Sequence, residues 1–242
     1  MAWCERTLGV TPGPGGQHPL MGTHNRLLRI DGPGFERAYL EIIAIEPGTS
    51  PLRQPPLRRW FDMDDPALMQ KVQDDGPQLL HWVARTNALD SALACCAAHG
   101  WDRGPALQAS RMTPSGLLQW RISVRDDGQR LLNGVLPTLI EWGDVHPADA
   151  MPASGLCLRR MRLQHPDAAA LQAWADAVGL KGVEWHVGPT ALQATLSTPQ
   201  GEVQLGSPGR RPVTPAIRAA PRPWGCSGWP ARRRVRCAIP RH

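Results

Sequence analysis

One order of elements recurs along the chain, and it limits the fold more than any other feature. The clearest copy starts at Leu79, where Leu-Leu-His-Trp-Val-Ala-Arg-Thr reads as a short apolar strand. Asn87 stands where a helix N-cap belongs. Ala88–His99 is rich in Ala and Leu, and Gly100 follows as a helix stop. Extended stretches at Leu107–Met112 and Leu117–Val124, a turn at Asp126-Asp127-Gly128 and an apolar run at Leu136–Trp142 complete a βαβββ unit.

The preceding segment repeats this order without an opening strand. A helix over Ala2–Leu8 ends at Gly9, strands are predicted at His18–Thr23 and Asn25–Ile30, and Asp31-Gly32-Pro33-Gly34 turns the chain into Ala38–Ile45. A third, more compact copy begins near Leu156. It has a strand over Leu156–Leu163, a helix over Ala168–Val178 entered through His165-Pro166-Asp167, and short strands at Val183–Val187, Ala191–Ser197 and Glu202–Leu205. The expected fold class is therefore α+β: repeated βαβββ units forming cupped mixed or antiparallel sheets with helices outside. Unit one spans 1–46, a crossover 47–77, unit two 78–145 and a third partial unit 155–207. The crossover is rich in Pro and charge, and Asp65–Val72 reads as a short helix within it. Connections of this length are often functional or mobile.

Charge separates the repeats from the C-terminal segment. Residues 208–242 hold nine Arg and no acidic residue, which leaves 18 basic and 21 acidic residues in the first 207. The net charge of +6 thus belongs to an Arg/Pro-rich tail expected to be disordered, and nucleic-acid binding is not inferred for the body. The tail reads either as a genuine arm or as out-of-frame translation. The abrupt change of composition and the absent first strand together favour a truncated or frameshifted reading frame. No apolar run reaches the roughly 20 residues that a membrane helix needs. Six scattered Cys without a CxxC pair suggest a reducing, cytoplasmic setting. Cys95 and Cys96, mid-helix, read as packing residues.

Two carboxylates fall inside apolar strands in matching contexts: Glu41 in Tyr-Leu-Glu-Ile-Ile and Glu141 in Leu-Ile-Glu-Trp. Such groups are costly unless paired or bound to a cation. His81 lies in the opening strand of unit two. Each has a plainer reading, an Arg partner for the Glu residues and a hydrogen-bonded core position for His81. Arg26 and Arg85 read as solvated strand-edge charges more readily than as carboxylate clamps, and His146-Pro147 reads as a loop signal. No nucleophile elbow, phosphate loop or zinc CxxC pattern occurs.

Several stretches carry a resemblance: Gly22-Thr23-His24-Asn25-Arg26-Leu27, Tyr39-Leu40-Glu41, Leu139-Ile140-Glu141-Trp142-Gly143 and His146-Pro147. With the paired βαβββ units, they make residues 1–207 resemble the vicinal-oxygen-chelate superfamily, in its glyoxalase-like domain family. The resemblance implies a cupped sheet holding one divalent metal ion (Zn, Ni, Mn or Fe), with Glu41, His81 and Glu141 as ligands. A fourth ligand position would lie on the absent first strand. It implies Glu41 or Glu141 as general base, with His24, Asn25, Arg26 and Trp142 beside a small-molecule substrate. The implied activity is that of a metal-dependent lyase, isomerase or dioxygenase, and a homodimer is compatible with it. A second reading is a metal-free binding protein whose Trp82, Trp120 and Trp142 line the cup by stacking. A third is a truncated, non-functional fragment.

Overall fold

The structure, a computed structural model, describes residues 1–113 and 116–207. Expectations for the tail lie outside these residues. Unit one consists of helix α1 (Ala2–Leu8) and strands β1 (Gln17–His18), β2 (Thr23–Arg29) and β3 (Tyr39–Ile45), which form an antiparallel sheet in the order β1-β2-β3. Gly9 ends α1 in the left-handed conformation that glycine adopts without steric cost (φ 70°), and its N–H donates to the Glu5 carbonyl. Helix α2 (Pro66–Asp75) lies in the crossover. Asp65 caps it by accepting from the N–H groups of Ala67 and Leu68, so the expected helix is present and runs three residues further.

Unit two comprises β4 (Val83–Arg85), α3 (Leu89–Ala98), β5 (Ala106–Thr113), β6 (Gly116–Ser123) and β7 (Thr138–Trp142). Its sheet order is β4-β7-β6-β5, with β4 parallel to β7. The third unit comprises β8 (Cys157–His165), α4 (Ala168–Ala177), β9 (Val183–Val187), β10 (Ala191–Thr198) and β11 (Gly201–Gly206). The element order matches that of unit two, but the strand order is β11-β10-β8-β9. The opening strand of the third unit thus sits in mid-sheet, whereas that of unit two sits at an edge beside the closing strand. The α+β class with mixed and antiparallel sheets is as the sequence predicts.

The opening strand of unit two is shorter than expected. Ladder pairing starts only at Val83, because groups further upstream are engaged elsewhere. Leu79 N–H donates to the Gly206 carbonyl, and the Leu80 carbonyl accepts from Arg130 at 2.7 Å. Asn87 does not cap α3; the N-cap is Ala88, without a side-chain bond.

Two apolar clusters organise the layers. The larger joins all three units on the helix side, drawing Leu8 from α1, Leu28 from β2, Leu139 from β7, Leu163 from β8 and Trp174 from α4. The smaller consists of Met21, Ile122, Val124 and Ile140, with Trp60, Leu107, Trp120 and Trp142 packed against it. Side chains alternate across a strand. Leu139 therefore points to the helix side and Ile140 to the other, here called the inner face. Met21 brings unit one onto this face of unit two. The crossover is pinned over the same region by the Arg53–Asp126 and Asp62–Arg130 ion pairs and by Arg59, which donates to the Met21 carbonyl.

Candidate functional site

Strand register determines which side chains of unit one reach the inner face. Cα partners directly opposite one another share a face, and β2–β3 pairing places Leu27 opposite Glu41, Asn25 opposite Ile43 and Arg29 opposite Tyr39. Asn25, Tyr39 and Glu41 thus share one face. His18, paired with Thr23, joins them. Leu28, Ile30, Leu40 and Ile42 have the opposite parity and pack on the large core.

Asn25 is the hub. Its Oδ1 accepts from the Gly16 N–H at 2.7 Å, which fixes the amide so that Nδ2 donates to Glu41 Oε1 at 2.6 Å. His18 Nε2 lies 3.9 Å from the same oxygen, and His18 Nδ1 lies 3.1 Å from Thr23 Oγ1. Burial raises the Glu41 carboxyl, and this outweighs the opposing effects of Asn25 and Arg111. Burial, reinforced by the charge of Arg111, lowers His18 to about 4. The 3.9 Å approach is therefore a contact between a neutral imidazole and a carboxyl biased toward its protonated form, not an ion pair. Tyr39 is pushed above its usual range by burial and by Glu41.

Unit two supplies the opposite wall. Pairing of β5 with β6 sets Leu107 against Ile122, Ala109 against Trp120 and Arg111 against Leu118, all on the inner face. Trp120 pairs with Trp142 across β6–β7, with ring centroids 5.6 Å apart. His146 packs edge-on against Trp142 at 5.3 Å and Tyr39 at 6.2 Å, which joins the two units. Its Nδ1 accepts from the Ala148 N–H, and burial with two nearby arginines, Arg37 and Arg85, holds it at about 4. From the crossover, Trp60 meets His18 edge-on at 5.1 Å and stacks on Phe61. Phe61 and Asp62 both take positive φ, a sharp turn that carries Trp60 to this face.

The structure does not bring Glu41, His81 and Glu141 together. Glu141 shares the parity of Leu139 and faces α3. Its Oε2 accepts from Arg121 at 3.1 Å, and its Oε1 lies 3.4 Å from the Leu89 N–H at the helix N-terminus. His81 is a satisfied core histidine. Its Nδ1 donates to the Gly134 carbonyl at 3.2 Å and its Nε2 accepts from the Thr138 N–H at 3.0 Å. Burial, with Arg103 and Arg130 nearby, keeps it neutral. His24 and Arg26 have the parity of Leu28 and point away from the inner face, whereas Asn25 and Trp142 lie on it. Trp82 belongs to the large core, its indole N–H donating to the Val135 carbonyl. Arg85 pairs with Ile140 and so has inner-face parity.

A divalent ion needs several convergent donors. Among the described residues, no group of three or more His, Cys, Asp or Glu side chains is placed to hold one. Of the three implied ligands, Glu41 is bonded to Asn25, His81 has both ring nitrogens engaged by Gly134 and Thr138, and Glu141 is turned to Arg121 and α3. The described residues do not fit the implied ion. Removing Glu141 is a direct check on its role: Glu141→Gln should weaken the start of α3 and lower the melting temperature slightly, while leaving ligand affinity at the inner face unchanged. A large loss of affinity with an unchanged melt would contradict its placement.

His18, Trp60, Arg111 and His146 were not singled out as site residues by sequence reasoning. The available signal was the odd-number alternation Leu107, Ala109, Arg111. Cys4, Cys95, Cys96 and Cys157 carry free thiols, and Cys96 is fully buried in packing, as expected. No helix among the described residues is long and apolar enough to cross a membrane. A family model described as a glyoxalase-like domain matches residues 1–179, covering units one and two with β8 and α4. No curated protein and no solved structure matches the chain.

Proposed function

The chain belongs to the glyoxalase-like domain family of the vicinal-oxygen-chelate superfamily, and on that premise we propose that the inner face of units one and two binds a small oxygenated molecule and that Glu41 moves a proton on it. One observation carries the reading: a carboxyl held by Asn25 and the rings of Trp60, Trp120 and Trp142 come from three separate segments onto one face.

The chemistry follows from the environment of Glu41. A carboxyl raised by burial is closer to the operating pH, where it both accepts and returns a proton effectively. Asn25 holds one oxygen, leaving the other to reach a substrate C–H or O–H beside a carbonyl. His18, neutral, is a hydrogen-bond partner for a substrate oxygen next to that carboxyl. The indole walls exclude water and stack on a planar body. No step is routed through a metal ion, because the described donors do not converge on one.

Proton transfer is read by exchange. Hydroxyacetone incubated with the full chain in D2O should gain deuterium at its exchangeable carbons, and Glu41→Gln should slow this by about 100-fold or more. Exchange unaffected by Glu41→Gln would sink the acid–base role. Binding without exchange, equal in both proteins, would support the second reading, a metal-free small-molecule binder, which the stacked Trp120 and Trp142 favour.

A further inference from the structure

Building on the small-molecule reading above, we propose that Arg111 selects the charge of the ligand, so that the inner face takes a molecule bearing a carboxylate on an apolar, ring-sized body. Arg111 leaves β5 toward the inner face and reaches unit one. A Cβ added at Gly16 would run into its guanidinium, so the two touch closely. Its charge bears on His18, Tyr39 and Glu41.

Among the described residues Arg111 has no answering anion; Arg103 shares this, but Arg103 donates to the Thr138 hydroxyl, whereas the Arg111 side chain has no such partner. Arg53, Arg59, Arg125 and Arg130 are partly or fully buried too, and each pairs with a carboxylate: Asp126, Asp64, Asp127 and Asp62. Arg111 makes no ion pair or hydrogen bond among the described residues, and its Nε is buried without a partner. The acidic group nearest to it on this face, Glu41, stays beyond ion-pair distance and is engaged by Asn25. Arg111 is half-buried, and a buried donor without a partner is costly. Trp60 presents a second buried donor, its indole N–H, also without an acceptor. Two unanswered donors beside the paired rings of Trp120 and Trp142 fit a planar acceptor on a flat apolar body. Guanidinium binds carboxylate through two parallel hydrogen bonds, the geometry that best uses such a fork.

Benzoate and its uncharged isostere benzamide separate charge from shape. Titrated into the full chain and followed by tryptophan fluorescence, benzoate should bind about tenfold tighter or better, the size of one charge-assisted hydrogen bond. Arg111→Gln should remove the difference by weakening benzoate alone, and Arg111→Lys should retain part of it. Loss of the preference in Arg85→Gln but not in Arg111→Gln overturns the assignment. If Arg111→Gln does not fold, the comparison in the unaltered protein still decides: equal affinities overturn the charge selection and leave the small-molecule reading standing. Binding of neither compound, with no fluorescence response, overturns both.

Discussion

A chain ended after Gly179 is expected not to fold, although the family match covers the whole of that segment. The reason is the strand order of the third sheet. Strand β8 lies between β9 and β10, and both follow the cut, so truncation strips β8 of its two neighbours. The cut also removes Leu192, Leu196, Val203 and Leu205, all buried in the large core. Burial of each such side chain contributes about 1.5–3 kcal/mol, and four of them approach the 5–15 kcal/mol by which domains of ordinary size are stable, roughly. Trp174 and Leu163, fully buried in the intact protein, would meet water. Circular dichroism melts of the full chain and of residues 1–179 check this. The full chain should melt cooperatively and the shorter one should show no transition. A cooperative melt of the shorter chain at the same temperature would contradict the single shared core.

Acidification is expected to have the next largest effect. His18 and His146 are held at about 4 against an ordinary value of 6.5, and both are largely buried, 15% exposed for the His18 side chain and 5% for His146. Between these values the unfolded chain binds a proton and the native one does not. Stability is therefore complete above pH 6.5 and falls as the pH drops toward 4. At pH 5 each histidine accounts for about 2 kcal/mol, so about 4 kcal/mol is lost relative to neutral pH. His81 adds in the same direction, since a proton on its Nε2 would face the Thr138 N–H donor. Glu41 works the other way: its raised carboxyl gains stability as the pH falls through its folded value and offsets part of the loss. Urea unfolding at neutral pH and at pH 5 measures the difference. His146→Asn, which preserves an acceptor for Ala148 N–H, should reduce the loss by about half. Equal stability at both pH values would show that these rings are solvated.

The order of elements was legible because each unit is punctuated by its own caps and turns. Gly9, Asp65, Asp167 and Gly201 all stand at element boundaries. Strand order was not legible, since β8-α4-β9 and β4-α3-β5 look alike in one dimension and differ only in which strand each later one joins. The facing of Glu141 was hidden for a related reason. In Thr138-Leu139-Ile140 every side chain is buried, so no alternation marks which face is which, and equivalence with Glu41 could be read only from position in the repeat. His81 occupies an apolar run that looks like strand, but its ring is tied to Gly134 and Thr138 before the ladder begins. The alternation Leu107, Ala109, Arg111 sets Arg111 on the face opposite Ser110 and Met112, but that this face is the inner one emerges only once β5 is registered against β6.

Fluorine NMR of the protein labelled with 5-fluorotryptophan locates the ligand on the molecule. Saturating benzoate should move the resonances of Trp60, Trp120 and Trp142, each assigned by its Trp→Phe variant, and leave those of Trp82 and Trp174 in the large core in place. Shifts at Trp82 or Trp174 with none at the other three would contradict an inner-face site built by units one and two.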